Sequence, residues 1–507
     1  MTEFFGEALA RLFLPVNLAA MFLGTGGGIF IGAQPDLSPS ICMALLLPVV
    51  ISLPPETGLI VLAAVYFGSV FGGSVSAIIC RIPGVQASGI TVLDGYQMAV
   101  KGRAVQAVAV ACMASTVGGL LSIIAVWFSV EKIAMAETYF RGADEFWLLI
   151  MAIVSVASIS SRSAIRGFMA GIAGAALAAI GQDPLTEMPR LPFLADVFPG
   201  GFPLSVIVIG VFGLAPVLSM GEQKFHRRAK PYPLVGKKCP PRGELANLSI
   251  TVIYAWISGF LVGILPGTGA SVGARLAYRN ARDRSADKHM FGRGSAEGVA
   301  AAEAGNNAAT GGALIPTLAF GIPGDAATAV LLAGVHLMRL PLGHRLFNEH
   351  GQLAYTFLLG GAAVHFCMLL LGLTAYRFFA LGIKIPERVI IPLLTVAAVI
   401  GCYMVNERFA DVMLLPAFAL VGFFMRKFSL KPAAFLTGFL LGPAAEVAWR
   451  NTVVPPHVST AWSVLTRTSM SRVFILVSLS FLIVPVFFDH FRDKMSSKVG
   501  AFSNQNK

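Results

Sequence analysis

Small polar residues cluster at four places where Gly and Pro interrupt apolar runs of this 507-residue chain. Hydroxyl and amide groups can bind both a carboxylate and Na⁺ without burying a formal charge. A single Ser in an apolar helix more often bonds a carbonyl of its own preceding turn, but four clusters at matching breaks favour a solute site. The clusters are Ser38 and Ser40; Ser74, Ser76, Ser88 and Thr91; Thr268 and Ser271; and Asn306, Asn307, Thr310 and Thr328.

The helix breaks also expose backbone N–H and C=O groups near these side chains. Pro fixes φ and lacks a backbone donor, so an apolar helix stops or kinks there. Backbone groups freed at membrane depth are tolerated only where protein or a water-filled cavity satisfies them. The helix N-termini at such breaks favour anions, and the exposed carbonyls can hold a cation. We predict that the substrate site includes Pro83, Gly84, Gly267, Gly269, Pro323 and Gly324, with the side chains of Ser38, Ser74, Ser88, Thr91, Thr268, Ser271 and Thr328.

Several acidic residues lie within or beside apolar sequence, where an ionisable group is by default a functional candidate. Asp94 and Glu297 lie near basic loops, which favours solvated salt bridges. For Asp36 and Asp325, which sit at the breaks, ion coupling and capping of a helix N-terminus are equally compatible with the sequence. Glu303 closely precedes an Asn pair, which suggests a cation site. The predicted ion-coupling residues are Asp36, Glu303, Asn306, Asn307 and Asp325.

Signatures of catalysis are weak. The chain contains no H-E-x-x-H, no Walker A motif and no tight His/Cys cluster. Gly269-Ala-Ser271-Val-Gly273 matches G-x-S-x-G, but an apolar helical stretch precedes it where that motif needs a strand. We therefore expect no catalytic residue, no cofactor and no structural metal.

Composition defines the elements that must position these residues. The chain is 56% hydrophobic and only 13% charged, with a mean hydropathy of +0.75, whereas soluble chains carry roughly 25% charge. Its long apolar runs lack the alternation of a membrane β-barrel. The sequence predicts an all-α polytopic membrane protein with roughly ten to thirteen spans, plus re-entrant or broken helices.

The net charge of +12 is placed between the apolar runs. That placement is what the positive-inside rule describes, so the lipid bilayer, and no nucleic acid, is the expected partner of the basic residues. The basic, Pro-containing stretch 222–246 is predicted to be a cytoplasmic linker. It separates a first membrane repeat, 1–221, from a second, 247–489, and a polar C-terminal tail covers 490–507.

The two halves share ordered landmarks. Pro35 and Pro266 lie 231 residues apart, and Pro83 and Pro323 lie 240 residues apart. Each first landmark ends a run of Gly residues spaced by four, a spacing that usually makes a flat face for helix packing. These runs are Gly24, Gly28 and Gly32, and Gly259, Gly263 and Gly267. The pattern predicts an internal duplication.

At these residues the chain resembles the large membrane subunit of tripartite tricarboxylate transporters, the TctA-like family. The resemblance covers most of the chain and rests on a combination of motifs. They are Tyr66-Phe-Gly-Ser-Val-Phe-Gly-Gly-Ser-Val-Ser-Ala77, Ile82-Pro83-Gly84, Thr91-Val-Leu-Asp94-Gly95-Tyr96, Gly181-Gln-Asp183-Pro184, Gly263-Ile-Leu-Pro266-Gly267-Thr-Gly269, Glu297-Gly298-Val-Ala-Ala-Ala-Glu303-Ala-Gly-Asn306-Asn307, Gly321-Ile-Pro323-Gly324, Leu441-Gly442-Pro443 and Glu446.

The resemblance implies a multi-pass secondary transporter of a bacterial inner membrane, importing an organic di- or tricarboxylate. Proteins that look like this work with a small membrane subunit and a periplasmic solute-binding protein, and a Na⁺ or H⁺ gradient would drive uptake. Two alternatives remain open: an autonomous carboxylate carrier that needs no binding protein, and a diverged membrane scaffold or sensor that has lost transport.

Three residues depart from the family pattern. Asp36 stands in a break that usually reads Pro-Gly-x-Gly-Pro, Arg81 replaces the usual Asn before Ile-Pro-Gly, and Asp325 replaces a small neutral residue. Gly tolerates backbone conformations that other residues reach only at a cost. Arg81 is a candidate counter-charge to the substrate; a snorkelling or topology-setting role fits the sequence equally well. Altered substrate specificity is the interpretation we favour for these changes.

Overall fold

The computed structural model describes residues 2–140, 142–159, 164–191, 193, 200–222, 231–237, 242–453 and 461–483. Over these ranges the chain is almost entirely helical, and the β structure amounts to an isolated bridge between Gln182 and Pro189. The all-α prediction is therefore confirmed. The C-terminal tail and residues 223–230 and 238–241 of the predicted linker lie outside the described residues.

The helices are numbered in chain order. The first group comprises α1 Thr2–Leu12, α2 Pro15–Gly32, α3 Pro39–Ile51, α4 Pro55–Cys80, α5 Thr91–Val100, α6 Ala104–Ala134, α7 Gly142–Ile159, α8 Ala164–Ala178 and α9 Leu204–Glu222. The second group comprises α10 Arg242–Ile264, α11 Gly269–Arg284, α12 Ala296–Gly312, α13 Leu314–Phe320, α14 Ala326–Leu337, α15 His344–Glu349, α16 Gly351–Thr374, α17 Tyr376–Gly382, α18 Glu387–Asn406, α19 Phe409–Lys427, α20 Pro432–Val453, α21 Ala461–Leu465 and α22 Ser469–Ile483.

Eight of the described helices are long and apolar enough to cross a membrane, by length and composition: α2, α4, α6, α9, α10, α16, α18 and α19. The sequence suggested roughly ten to thirteen spans. Part of the difference lies in four apolar helices of 10–17 residues, namely α3, α8, α14 and α22. Helices of that length fall short of the hydrocarbon thickness, as re-entrant or broken segments do.

Packing divides the chain into two compact units. The first unit contains Met1–Glu137 and Pro203–Phe423, and the second contains Thr138–Phe202 and Phe424–Lys507. These units describe how helices cluster, whereas the division at 222–246 rests on the basic, Pro-containing composition of that stretch and stays a prediction. All of the predicted substrate and ion residues fall in the first unit.

Glycine faces bring the helices of the first unit together. At Gly32 a Cβ would collide with the backbone of Ser69 on α4, and at Gly263 with the backbone of Ala309 on α12. Backbones can approach this closely only where no side chain separates them. The glycine-rich helix α2 therefore packs directly on α4, which leads to Pro83-Gly84. In the second half α10 packs directly on α12, which is followed by the short helix α13 and then by Pro323-Gly324. The close packing is what the spacing of the glycines predicts.

The backbone conformation repeats at the landmarks of the two halves. Asp36 (φ 68°) and Gly267 (φ 82°) both follow the break prolines in a left-handed conformation. Arg81 (φ 61°) and Gly321 (φ 65°) both end a helix in that conformation, directly before Ile-Pro-Gly. Such a C-terminal residue is usually Gly or Asn. This correspondence supports two related halves, and it shows that Asp36 and Arg81 occupy positions whose geometry favours glycine.

The described part of the linker packs against the first half. The Tyr232 backbone N–H donates to the Ile79 carbonyl (2.9 Å), and the Val235 carbonyl accepts from the Val105 N–H (3.2 Å). The Tyr232 ring also contacts Tyr96 edge-on. Residues 231–237 therefore lie at the ends of α4 and α6.

The second unit is built around α7, α8 and α20. Small residues again permit close contact, because a Cβ at Gly174 would collide with the Phe435 backbone and one at Gly438 with that of Gly171. Beside these helices four side chains form a network of ion pairs, which involves Asp183, Arg190, Glu446 and Arg450 at N–O distances of 2.5–3.2 Å. Asp183 and Glu446 belong to two of the sequence motifs above, so these motifs meet in an ion-pair network.

Candidate functional site

Each Pro-Gly loop lies against the break of its own half. The Gly84 N–H donates to the Gly73 carbonyl (3.2 Å), and a Cβ at Gly84 would collide with the Gly32 carbonyl at the end of α2. In the second half the Gly324 carbonyl accepts from the N–H of Gly267 (2.9 Å). A Cβ at Gly324 would collide with Ala313, so in both loops the neighbouring chain lies too close for any residue larger than glycine.

The breaks of the two halves also meet each other. Val85 and Ala87, beyond the first Pro-Gly loop, form a buried apolar cluster with Ala270 and Ala309. Ala270 lies in the first turn of α11, and Ala309 lies on α12. The structure therefore brings Pro83–Gly84, Gly267–Gly269 and Pro323–Gly324 into one region of the first unit.

Glu303 lies at the centre of a shell of hydroxyl groups. Its Oε1 accepts from the Ser74 hydroxyl (2.6 Å) and from Thr91, and its Oε2 accepts from Ser115 (3.0 Å). Ser88 extends the shell through Ser74 (3.0 Å). All of these side chains are buried. Ser74, Thr91 and Ser115 come from α4, α5 and α6, and Ser88 lies in the short turn Gln86–Gly89 between α4 and α5. Glu303 belongs to α12 of the second half, so the cluster joins the halves.

The Asn pair lies one turn further along α12. The Asn307 Nδ2 donates to the Glu303 carbonyl oxygen (3.1 Å), and its Oδ1 is buried without a hydrogen-bond partner among the described residues. Within the described ranges, both polar atoms of the Asn306 amide are likewise buried and unpaired. Residues three and four apart share a helix face, so both amides lie on the side of α12 that carries Glu303. Unpaired buried amides are costly and call for an explanation, such as a ligand.

Asp325 begins α14 with a capping box. Its Oδ1 accepts from the Thr328 backbone N–H (2.8 Å), and its own N–H donates to the Thr328 hydroxyl (2.8 Å). The Tyr66 hydroxyl on α4 donates to the other carboxylate oxygen (2.7 Å). Of the two roles that the sequence allowed for Asp325, the structure shows capping; an additional role in coupling stays a prediction.

Other predicted site residues lie at the edges of this region. Asp36 is exposed, and the N-cap position of α3 is Ser38, whose hydroxyl pairs with Ser40 (2.9 Å). Arg81 is exposed, with its guanidinium carbon 5.6 Å from the centre of the Tyr96 ring. The Thr268 hydroxyl donates to the Val262 carbonyl at the end of α10 (2.7 Å). Ser271 is half-buried in the first turn of α11.

The expectation for two acidic residues was wrong. Asp94 is fully buried and accepts from the backbone N–H groups of Gly294 and Ser295 (2.8 Å each) and from the Tyr278 hydroxyl (2.8 Å). It therefore anchors the loop before α12. Burial, followed by the nearby Asp94 carboxylate, raises the pKa of Tyr278. Glu297 is half-buried and accepts from the hydroxyls of Thr251 (2.8 Å) and Ser285 (2.7 Å).

Sequence reasoning missed two of the polar partners. Ser115 is followed by Thr116 within the apolar helix α6, a position where bonding to its own helix is the usual expectation. Tyr66 opens one of the motifs above, but its partner lies 259 residues away. The sequence around each residue does not reveal its role, because each hydrogen-bonds to a group on the other half of the chain.

Comparison with known proteins places this chain in a family. Residues 18–437 match the model of the tripartite tricarboxylate transporter TctA family. The chain therefore belongs to this family of polytopic membrane transporters. No solved structure matches it.

Two similar proteins come from Agrobacterium vitis. One, described as an uncharacterized 52.8 kDa protein in the TAR-I ttuC' 3'region, is 29% identical over 445 residues, 87% of this chain and 88% of the relative. The other, an uncharacterized protein in the TAR-II ttuC' 3'region, is 29% identical over 196 residues, 39% of this chain and 81% of the relative.

Proposed function

We propose that this chain is the large transmembrane subunit of a binding-protein-dependent secondary transporter in a bacterial inner membrane. It imports an organic di- or tricarboxylate, and a Na⁺ or H⁺ gradient drives the uptake. A small membrane subunit and a periplasmic solute-binding protein complete the transporter.

The convergence of the broken segments is the observation that carries this proposal. Gly267 contacts Gly324 directly, and Val85 packs against Ala270 from the other half. In secondary transporters, solute and coupling ions bind at breaks of this kind between related repeats. Membership of the TctA family supports transport of carboxylates.

The polar groups near the breaks suit an anionic solute. The Nδ2 of Asn306 is a donor that finds no acceptor among the residues that the structure describes, and a carboxylate oxygen would satisfy it. Arg81, which is exposed at the end of α4, offers a positive charge. Whether Arg81 contacts the solute or only the membrane interface is decided by comparing uptake by Arg81→Gln with uptake by the native chain.

Reconstitution tests the proposal. The chain is placed in proteoliposomes with and without the small subunit and the binding protein, and uptake of labelled di- and tricarboxylates is measured under separate Na⁺ and proton gradients. We expect uptake that requires all three components and one gradient. Uptake by the chain alone would indicate an autonomous carrier. No uptake by demonstrably folded protein under any combination would contradict transport and favour a scaffold or sensor.

A further inference from the structure

The Glu303 carboxylate is buried without a visible counter-charge. It is fully buried, and its interactions within the described residues are with the hydroxyls of Ser74, Thr91 and Ser115 rather than with a basic side chain. Three hydroxyl donors reduce the cost of burying a carboxylate but do not cancel its charge. A buried charge of this kind is normally neutralised by pairing, by a bound ion or by a proton.

The atoms around Glu303 match the ligands of a hard cation. Hydroxyl, amide and carboxylate oxygens are the groups that bind such ions. Each hydroxyl that donates its proton to Glu303 keeps lone pairs that can face a cation. One turn further along α12, the amide oxygens of Asn306 and Asn307 are buried and accept no hydrogen bond from the part of the chain that the structure describes. These orphan acceptors are an observation independent of the carboxylate, and they require a donor or a cation.

The number of unpaired oxygens favours a cation over a proton, and the single negative charge of Glu303 favours a monovalent cation over a divalent one. A proton on Glu303 would neutralise the charge and supply a single donor, which leaves at least one amide oxygen unpaired. A cation accepts several oxygen lone pairs at once. A single carboxylate balances one positive charge, whereas a divalent ion would leave a net positive charge buried among apolar helices.

We propose that Glu303, the hydroxyls of Ser74, Thr91 and Ser115, and the amide oxygens of Asn306 and Asn307 form a Na⁺ site. This inference rests on the proposed function and identifies its coupling ion. It moves Ser74 and Thr91 from the substrate site, where the sequence suggested them, to the ion site. Because the hydroxyls belong to one repeat and the other ligands to the second, bound Na⁺ ties the two halves together beside the Pro-Gly loops.

A binding experiment on the purified full chain tests this site without substrate or partner proteins. Thermal unfolding in detergent is followed in NaCl, KCl and choline chloride at constant ionic strength. We expect Na⁺ to raise the Tm saturably, by roughly 2 °C or more, because a ligand that binds the folded state stabilises it. K⁺ and choline should produce no comparable rise. A rise with K⁺ alone, or with acidification alone, would overturn the Na⁺ assignment.

Single substitutions test which residues form the Na⁺ site. Glu303→Gln should abolish the Na⁺ response, and Ser115→Ala and Asn306→Ala should weaken the apparent Na⁺ affinity about tenfold, the equivalent of one lost interaction. Glu297→Gln, on the same helix but bonded to Thr251 and Ser285, is the matched control and should respond like the native chain. If Glu303→Gln does not fold, the Ser115 and Asn306 variants decide. An unchanged Na⁺ response in these variants would refute the site.

The Na⁺-binding experiment and the reconstitution can succeed or fail independently of each other. Proton-driven uptake by a chain that shows no Na⁺ response would refute the Na⁺ site and leave the transporter standing. A Na⁺ response that depends on Glu303, in a chain that transports no carboxylate with its partners, would support the site and refute the proposed import.

Discussion

Asp325 shows how one carboxylate can meet a structural demand at one of the helix breaks. It caps α14 through Thr328 and accepts a hydrogen bond from Tyr66 on the other half. Asn is as good an N-cap as Asp, whereas Ala provides no acceptor. The charge of Asp325 and its capping oxygen can therefore be separated by substitution.

We expect Asp325→Asn to keep the Tm close to that of the native chain, because the capping oxygen remains. Asp325→Ala should lose about 2 kcal/mol of stability, since it removes the cap and leaves the Tyr66 hydroxyl unpaired. Thermal unfolding in detergent and uptake in proteoliposomes measure the two effects. Loss of uptake in well-folded Asp325→Asn would show that the charge itself takes part in coupling.

At the scale of elements, the ion-pair network of the second unit joins a loop to a helix. Asp183, in the loop after α8, pairs with Arg450 on α20 (2.8 Å), and Arg190 pairs with Glu446 (2.6 Å). Backbone N–H groups of Leu185 and Thr186 also donate to Asp183. The Leu185 bond, the Thr186 bond and Arg450 together hold the pKa of the Asp183 carboxyl below its usual range.

The lowered pKa gives the stability contribution of Asp183 a definite pH dependence. A carboxyl whose folded pKa is depressed stabilises the fold above its unfolded pKa, about 4, and loses that contribution as the pH falls below it. We expect Asp183→Asn to lower the Tm at pH 7, and the difference from the native chain to shrink below about pH 4. Thermal unfolding between pH 3 and pH 7 measures this difference.

The exposed pair Arg345–Glu349 supplies the control, since surface pairs contribute little. Glu349→Gln should change the Tm only slightly at pH 7. A difference between Asp183→Asn and the native chain that stays constant down to pH 3 would contradict the role of the Asp183 charge.

At the scale of the whole molecule, the related halves place equivalent loops in one region. Pro83–Gly84 lies against α2, and Pro323–Gly324 lies against the break after α10. Such equivalence predicts that neither loop is dispensable, because a site shared between repeats needs both of them.

We expect Pro83→Ala and Pro323→Ala each to reduce carboxylate uptake at least tenfold, equivalent to about 1.4 kcal/mol, while the proteins remain folded by gel filtration. Pro392, an exposed Pro inside α18, is the matched control. Pro392→Ala should leave uptake within about twofold of the native level. A large effect of one loop with none of the other would argue against a shared site.

Several features could be read from the sequence because their signals are local. Apolar composition predicts membrane helices, since backbone groups in lipid must be satisfied within the segment. The four-residue spacing of Gly24, Gly28 and Gly32 indicates close helix packing, and the repeated Pro-Gly landmarks indicate related halves. Glu303 and the Asn pair stood out as polar groups in an apolar run.

Tertiary structure alone decided how the polar groups combine. Ser74, Thr91 and Ser115 surround a carboxylate some 190–230 residues away in the chain, and no local pattern distinguishes a hydroxyl with such a partner from one bonded to its own helix. Asp94 was likewise expected to be solvated, but it is buried and anchors the loop before α12. The sequence determines which polar groups must be kept away from lipid. The packing of the two halves determines which partners those polar groups bond to.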